Sequence, residues 1–313
     1  MIYTVTLNPS LDYVMMSNIE KGSINRSEEE EYFAGGKGIN VSIMLKNLGI
    51  ENKALGFLAG FTGKEAERIL NSKGVDNNFI YIDEGFTRIN VKIKNTEGET
   101  EINACGPYIK KQYIDMLLDL IGCMKKDDII VMSGSEPKSD EESIYRLMAK
   151  TAFDCGIKFI ADTTGKNLKE VIKYKPFLVK PNRKEIEEYF GKKAESREEI
   201  INMALELQKE GAESVIVSDG AKGAVFVGKE GKIYYAEAPK GKVINTVGSG
   251  DSMIAGYIYG IINCKNEKDV FKLAVSAGSA TAFSKSIGEK EKVYEIYKSM
   301  KLQGVVLWKL QTL

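Results

Sequence analysis

The chain has 313 residues, 43% of them hydrophobic, with 44 basic and 44 acidic side chains and no histidine. That length can enclose a large core, and balanced charge without long basic runs excludes an extended nucleic-acid or anionic-membrane surface. The missing imidazole excludes Ser-His triads and His-ligated metals, so a catalytic base must be a carboxylate, lysine, tyrosine or thiol. In chain order, Ile2–Leu7 reads as a short apolar strand rather than a leader, and it ends at the turn Asn8-Pro9-Ser10. Asp12 follows among apolar residues, either as a turn cap or as a ligand carboxylate past a strand's carboxyl end. Gly35-Gly36-Lys37-Gly38 opens a helix whose face is Val41, Met44, Leu45 and Leu48, with Gly49 suited to its end. It is a second possible anion loop, or a flexible loop with a solvated lysine. It is not a Walker A loop, because no Gly-x4-Gly-Lys-Ser/Thr occurs.

Thr87 to Asn103 alternates and predicts a β-hairpin with one apolar face, suited to a flap, a dimer edge or a solvent-facing edge. From Ile109 helices and strands alternate. Ile114, Leu117, Leu118 and Ile121 mark a helix, and Ile129–Met132 a buried strand. Ser139 with Glu142 predicts a capping box for a helix over 141–155, and Ser196 with Glu199 another for a helix ending near Gly211. Strands ending at Asp162, at Lys180-Pro181-Asn182 and at Ser218-Asp219-Gly220 all finish in polar residues. In a parallel sheet those ends share one edge, where they converge on a crevice. A late hairpin covers 223–227 and 232–237, and two helices fill 270–283 and the stretch ending near Met300. The apolar tail after Leu302, with the only Trp, is an edge strand, an interface segment or an appended sequence; its residues do not choose between these. Cys105, Cys123, Cys155 and Cys264 are far apart, without C-x-x-C, which fits reduced thiols. No apolar run reaches bilayer-spanning length, and a cytoplasmic protein is expected.

One stretch organises the rest. Val243–Val247 is a β-branched run that predicts a strand; Gly248-Ser249-Gly250-Asp251 follows, then the helix-like run Met253–Ile262. Strand, glycine turn and helix would present free N–H groups to an anion, with Asp251 as a general base at the mouth. Phosphoryl transfer needs that pair. An ordinary helix start capped by Ser249, Asp251 or Ser252 fits the same four residues, and alone they do not decide.

Eight motifs in order decide more. Thr-Leu-Asn-Pro-Ser-Leu-Asp (6–12), Gly-Gly-Lys-Gly-Ile-Asn (35–40), Thr-Arg-Ile-Asn-Val-Lys (87–92), Thr-Glu-Ile-Asn (100–103), Ser-Gly-Ser (133–135), Lys-Pro-Asn-x-x-Glu (180–185), Ser-Asp-Gly-Ala-Lys-Gly (218–223) and Thr-Val-Gly-Ser-Gly-Asp-Ser (246–252) together resemble the PfkB (ribokinase-like) carbohydrate kinases. The resemblance implies an α/β protein, a ribokinase-like three-layer α/β/α sandwich with a small β-sheet lid. One kinase domain would span 1–300, with lid strands in about 12–34 and 87–104 and an atypical tail over 301–313. It implies an ATP-dependent sugar-phosphate kinase using Mg2+, with any potassium requirement open, that forms a homodimer through the lid. The implied reaction is phosphorylation of fructose 1-phosphate at O6 to fructose 1,6-bisphosphate. Tagatose 6-phosphate is the alternative substrate, and a catalytically dead sugar-phosphate-binding regulator the alternative of another class.

By resemblance, Asp251 matches the general base, working near its ordinary pKa, and Gly248, Ser249 and Gly250 match the anion hole. Asp12, Gly36 and Asn40 match sugar-hydroxyl positions. Lys37 and Arg88 match contacts to the substrate's own phosphate, with Ser135 and Arg26 as further candidates and Asn103 on the same side. Lys180, Asn182 and Glu185 match the segment at the ATP phosphates, Asn182 and Glu185 at the metal, and Ser218, Gly220, Ala221 and Gly223 the nucleotide loop. Glu136 stands where such kinases usually carry Leu and is expected to tune the loop by the substrate phosphate; Ser249 stands where Ala is common.

Overall fold

The computed structural model describes residues 1–95, 98–229, 231–264 and 266–305. The strands are β1 (Ile2–Thr6), β2 (Ser10–Met16), β3 (Glu29–Gly35), β4 (Asn52–Ala59), β5 (Asp76–Asn77), β6 (Ile80–Ile82), β7 (Arg88–Lys94), β8 (Glu99–Ile102), β9 (Ile129–Ser133), β10 (Lys158–Asp162), β11 (Leu178–Val179), β12 (Val215–Ser218), β13 (Ala224–Val227), β14 (Ile233–Ala236) and β15 (Leu302–Val305). The helices are α1 (Lys37–Asn47), α2 (Gly60–Ser72), α3 (Lys111–Gly122), α4 (Ile144–Asp154), α5 (Gly165–Val171), α6 (Arg183–Phe190), α7 (Arg197–Glu210), α8 (Ser249–Asn263), α9 (Glu267–Ala282) and α10 (Lys290–Ser299).

Among the described residues an eleven-stranded sheet runs β15-β14-β13-β12-β11-β10-β9-β1-β4-β5, with β6 on β4. It is parallel from β5 to β12 and antiparallel through β13, β14 and β15. Its central strands are continuous apolar runs because helices cover both faces. All five residues of β9 are buried. Val41 and Met44 of α1 join Ile254, Phe271 and Val293 of α8, α9 and α10 on one face. Ile114, Tyr145, Leu168, Ile186 and Ile200, from α3 to α7, fill the other. The result is the expected α/β/α sandwich.

β1 and β9 are neighbours, and the chain leaves them to opposite faces: α1 comes after β1 by way of β2 and β3, and α4 follows β9. This is a topological switch point, where the carboxyl ends of the strands open a crevice. A second sheet, β3-β2-β7-β8, stands over that crevice. Its register aligns Ser10 with Arg88, Asp12 with Asn90 and Val14 with Lys92. Alternation puts these side chains on one face and Leu11, Tyr13, Ile89 and Val91 on the other. The hairpin and its single apolar face are as expected; its turn residues 96 and 97 lie outside the described residues.

Several local expectations need correction. Val243 and Ile244 form no strand: they are 59% and 51% exposed, and the N–H groups of Ile244 and Asn245 donate to the Ala282 carbonyl at the end of α9. β-branched composition was overridden by a position with no ladder partner. α4 begins at Ile144, capped by Ser143 rather than by a Ser139 box. The Glu136 carboxylate accepts from the Tyr145 N–H at 2.8 Å and from Ser143 Oγ, so it secures this helix start rather than the phosphate loop. Ser196 caps α7 as expected, but the Glu199 carboxylate accepts from the Glu195 N–H and does not close the box. The complete capping box is Asn182 with Glu185, at the start of α6. At the chain's end, Leu302–Val305 pairs with β14 as an edge strand; residues 306–313, including Trp308, lie outside the described residues.

Candidate active site

A cleft of about 560 Å³ lies between the strand ends and the lid, and it gathers most of the expected residues. Asp12, Gly36, Lys37, Asn40, Arg88, Asn103, Ser135, Lys180, Asn182, Glu185, Ser218, Gly248, Gly250 and Asp251 line it. Gly220, Ala221, Gly223, Ser249 and Arg26 do not. Gly220 and Ala221 form an exposed turn past β12. A Cβ on Gly223 would stand 1.9 Å from the Ala236 carbonyl oxygen, so that glycine serves the approach of β14. Arg26 sits in the exposed loop between β2 and β3.

The start of α8 forms one wall. Its N-cap is Gly248, at φ 79°, a left-handed conformation that glycine adopts without strain, and no side chain caps it. The Ser249 N–H is taken by the Thr246 carbonyl at 3.2 Å. Among the described residues, the N–H groups of Gly248, Gly250 and Asp251 have no acceptor. The N–H groups open to an anion are therefore those of Gly248, Gly250 and Asp251, while that of Ser249 is consumed in the turn and its hydroxyl is buried without a partner. Lys180 adds charge: its ammonium lies 3.0 Å from where a Gly250 Cβ would stand.

Asp251 is 5% exposed, and its Oδ2 accepts from Asn40 Nδ2 at 2.8 Å. Burial, followed by the nearby Asp162 charge, pushes its pKa up to about 6, against the pull of the Asn40 bond, Lys37 and Lys180. The near-ordinary pKa expected from the sequence is thus corrected. One Asn40 N–H is thus committed to Asp251, which leaves its second N–H and its carbonyl oxygen for other partners in the cleft.

Asp162, at the end of β10, was noted only as a polar strand end, and it proves central. It is 2% exposed and pairs with Lys37 Nζ and Lys180 Nζ, each at 3.3 Å. Burial opposes its charge, but the two lysines outweigh burial and hold the carboxyl below its ordinary range. The Asp162 charge likewise raises the pKa of Lys37 despite desolvation. Lys37 is thus tied to the core while facing the cleft.

On the lid side, Arg88 gives Nε to the Asn8 carbonyl at 3.2 Å and Nη1 to the Ala104 carbonyl at 3.3 Å. Its remaining donors are left for the cleft. Burial lowers its pKa, and Asp12 opposes that. Asp12 Oδ1 accepts from Ser10 Oγ and from Asn90 Nδ2, the latter at 3.0 Å. Its Oδ2 lies 3.3 Å from Lys92 Nζ. Asn90 and Lys92 were missed in the sequence, although two-residue spacing from Arg88 puts them on its face. Ser135 follows Gly134, whose carbonyl accepts from the buried Tyr145 hydroxyl at 2.9 Å.

No group of three or more His, Cys, Asp or Glu that could cage a metal occurs among the described residues. Mg2+ keeps several waters and binds through one or two carboxylates plus phosphates. Glu185 offers such a carboxylate: Oε2 holds the Asn182 N–H at 2.7 Å, and the side chain faces the cleft.

A buried carboxylate, a helix start with open N–H groups and cations on both sides, set at a switch point under a lid, define a small-molecule kinase. The chain belongs to the pfkB family of carbohydrate kinases, whose model matches residues 5–292. It is a phosphotransferase acting on an alcohol group. It is 39% identical over 306 residues to the 1-phosphofructokinase of Borreliella burgdorferi, covering 97% of this chain and 99% of that one. To the 1-phosphofructokinase of Bacillus subtilis it is 40% identical, covering 96% and 99%. To the D-tagatose-1-phosphate kinase of Bacillus licheniformis it is 36% identical, covering 94% and 96%. A crystal structure of a putative phosphofructokinase from Staphylococcus aureus superposes with a TM-score of 0.86 at 40% identity, covering 97% of this chain and 99% of that one.

Proposed function

We propose that the protein transfers the γ-phosphoryl group of ATP to O6 of fructose 1-phosphate, giving fructose 1,6-bisphosphate. The observation that carries the reading is the buried Asp251 carboxylate, fixed by Asn40 at 2.8 Å beside open N–H groups. Asp251 accepts the proton of the primary hydroxyl as the new bond forms. The N–H groups of Gly248, Gly250 and Asp251, with Lys180, hold the charge of the group in transit. Asp12 and Gly36 orient sugar hydroxyls, and Arg88, Lys37, Ser135 and Asn103 receive the phosphate already on the sugar. A guanidinium fork and an ammonium suit that phosphate. Asn182 and Glu185 hold Mg2+, which neutralises phosphate charge when bound. Ser218 and the Gly220–Gly223 turn flank the nucleotide.

A second copy covers the lid's outer face. Tyr32 and Ile102 there are 48% and 60% exposed, next to half-buried Tyr13 and Val91. The reading is therefore a homodimer, and with no described helix long and apolar enough to cross a membrane, a cytoplasmic one.

The test is an ADP-release assay with fructose 1-phosphate, tagatose 1-phosphate, tagatose 6-phosphate and fructose 6-phosphate. Fructose 1-phosphate is expected to have the highest kcat/KM. A preference for either 6-phosphate would sink the assignment. Tagatose 1-phosphate, the C4 epimer acted on by the Bacillus licheniformis relative, is the second reading.

A further inference from the structure

We propose that Lys92 is a specificity-determining residue: by neutralising Asp12, it allows a sugar-binding carboxylate to face an anionic sugar. The inference rests on assigning a phosphorylated ketose to the cleft.

Lys92 lies on β7, four residues from Arg88 and on the same face. The lid's register places Glu31, Val14, Lys92 and Glu101 in one row across the cleft-facing side. The next row holds Phe33, Asp12 and Asn90. Long lysines on a two-sided sheet normally extend to water. This one is 8% exposed and turns inward, its ammonium 3.3 Å from Asp12 Oδ2 and 3.7 Å from Glu101 Oε1. It also lines a neighbouring cavity of about 380 Å³ that shares Asp12 and Asn40 with the cleft.

The acid it pairs with is the lid's only contribution of negative charge to the cleft lining among the described residues. Asp12 Oδ1 is already fixed by Ser10 and Asn90, which donate hydrogen bonds but bring no charge. Positioning Asp12 therefore does not require a buried cation. Balancing its charge does. A carboxylate has about four lone-pair sites, so Oδ2 keeps capacity for a sugar hydroxyl beside the ammonium. The substrate brings close to two negative charges of its own and meets a second polyanion, ATP. An unbalanced carboxylate in a half-buried cleft would repel it, and the repulsion falls off only slowly at low dielectric. A neutral sugar would meet no such penalty.

Steady-state kinetics with fructose 1-phosphate, and inhibition by unphosphorylated fructose as a neutral probe, test this. Lys92→Met keeps length and apolar bulk and removes charge. It is expected to raise KM for fructose 1-phosphate on the order of tenfold with kcat little changed. Added salt should shrink the loss. The inhibition constant of fructose should stay near that of wild type, and Lys92→Arg should restore KM. Glu101→Gln leaves Lys92 to Asp12 alone and is expected to lower KM, the opposite sign. Equal losses for the phosphorylated and neutral sugars, or a salt-independent loss, would reduce Lys92 to a structural prop and overturn the proposal. Should Lys92→Met fail to fold, an unchanged or higher KM in Glu101→Gln overturns it. A wild type without turnover of fructose 1-phosphate refutes the substrate assignment instead; the same variants compared by equilibrium binding of that ligand then decide the role of Lys92.

Discussion

The Asn40 side-chain amide donates to Asp251 Oδ2 at 2.8 Å, joining the first helix to the eighth across 211 residues of chain. The bond favours the charged form of a carboxyl that burial pushes toward neutrality. Asn40→Ala should therefore raise the Asp251 pKa above about 6 and move the acid limb of the kcat–pH profile to higher pH. Activity should fall more at low pH than at high pH. An acid limb left in place would remove Asn40 from this role.

Asp251→Asn should lower kcat by about 10²- to 10⁴-fold, the usual contribution of a general base. The same change should stabilise the protein at alkaline pH. The folded pKa of about 6 exceeds the ordinary 3.8, so the folded state binds the extra proton between those values. Stability from this group is complete below the lower value and lost as pH rises through the upper one, a cost of about 3 kcal/mol at high pH. Unfolding of the two proteins near pH 8 and near pH 5 checks it: the variant should gain about 3 kcal/mol at the first and roughly half as much at the second, where the unfolded carboxyl is already charged.

Arg88→Ala should raise KM for fructose 1-phosphate by about 10- to 100-fold, because a charge-assisted fork to phosphate is lost. Its effect on binding of unphosphorylated fructose should be small. Equal losses for both sugars would mean that the guanidinium acts through the Asn8 and Ala104 carbonyls, as a brace for the lid.

Asp162→Asn should destabilise the fold by about 3 kcal/mol, since removing one partner leaves buried charge unbalanced. Lys180, 5% exposed, bears most of this, while Lys37, 38% exposed, is partly relieved by solvent. Urea unfolding measures it. A midpoint unchanged from wild type would show that water replaces the carboxylate.

Ile102→Glu should weaken association through the lid, seen as a shift toward monomer in sedimentation. A wild type that is monomeric at micromolar concentration would exclude the dimer.

The fold was readable where burial is two-sided. Ile129–Met132 needs no context to be a central strand, and the Thr87–Asn103 alternation marks a sheet with one wet face. Val243–Val247 failed the same test because a β-branched run does not reveal whether a neighbouring strand exists. Asp251, Gly250 and Lys180 were legible as motifs. Asp162 was not, since a lone acid at a strand end looks the same whether it is solvated or clasped by two lysines. The pKa of Asp251 depends on that unseen neighbour. That the Ser249 N–H is taken by the Thr246 carbonyl was not legible either, because a motif shows which residues form a turn, not which of their N–H groups the turn consumes.

The position of β1 has a consequence for biogenesis. Of the strands in the large sheet, the earliest in sequence is an interior one, bounded by β4 on one side and β9 on the other. Its β9 partners lie 127 residues downstream. At typical elongation rates that interval lasts roughly 6–25 s. Throughout it one edge of an apolar strand stays unpaired, which leaves the half-built sheet open to aggregation. Slowing translation just before Ile129 should prolong that exposure and lower the soluble yield.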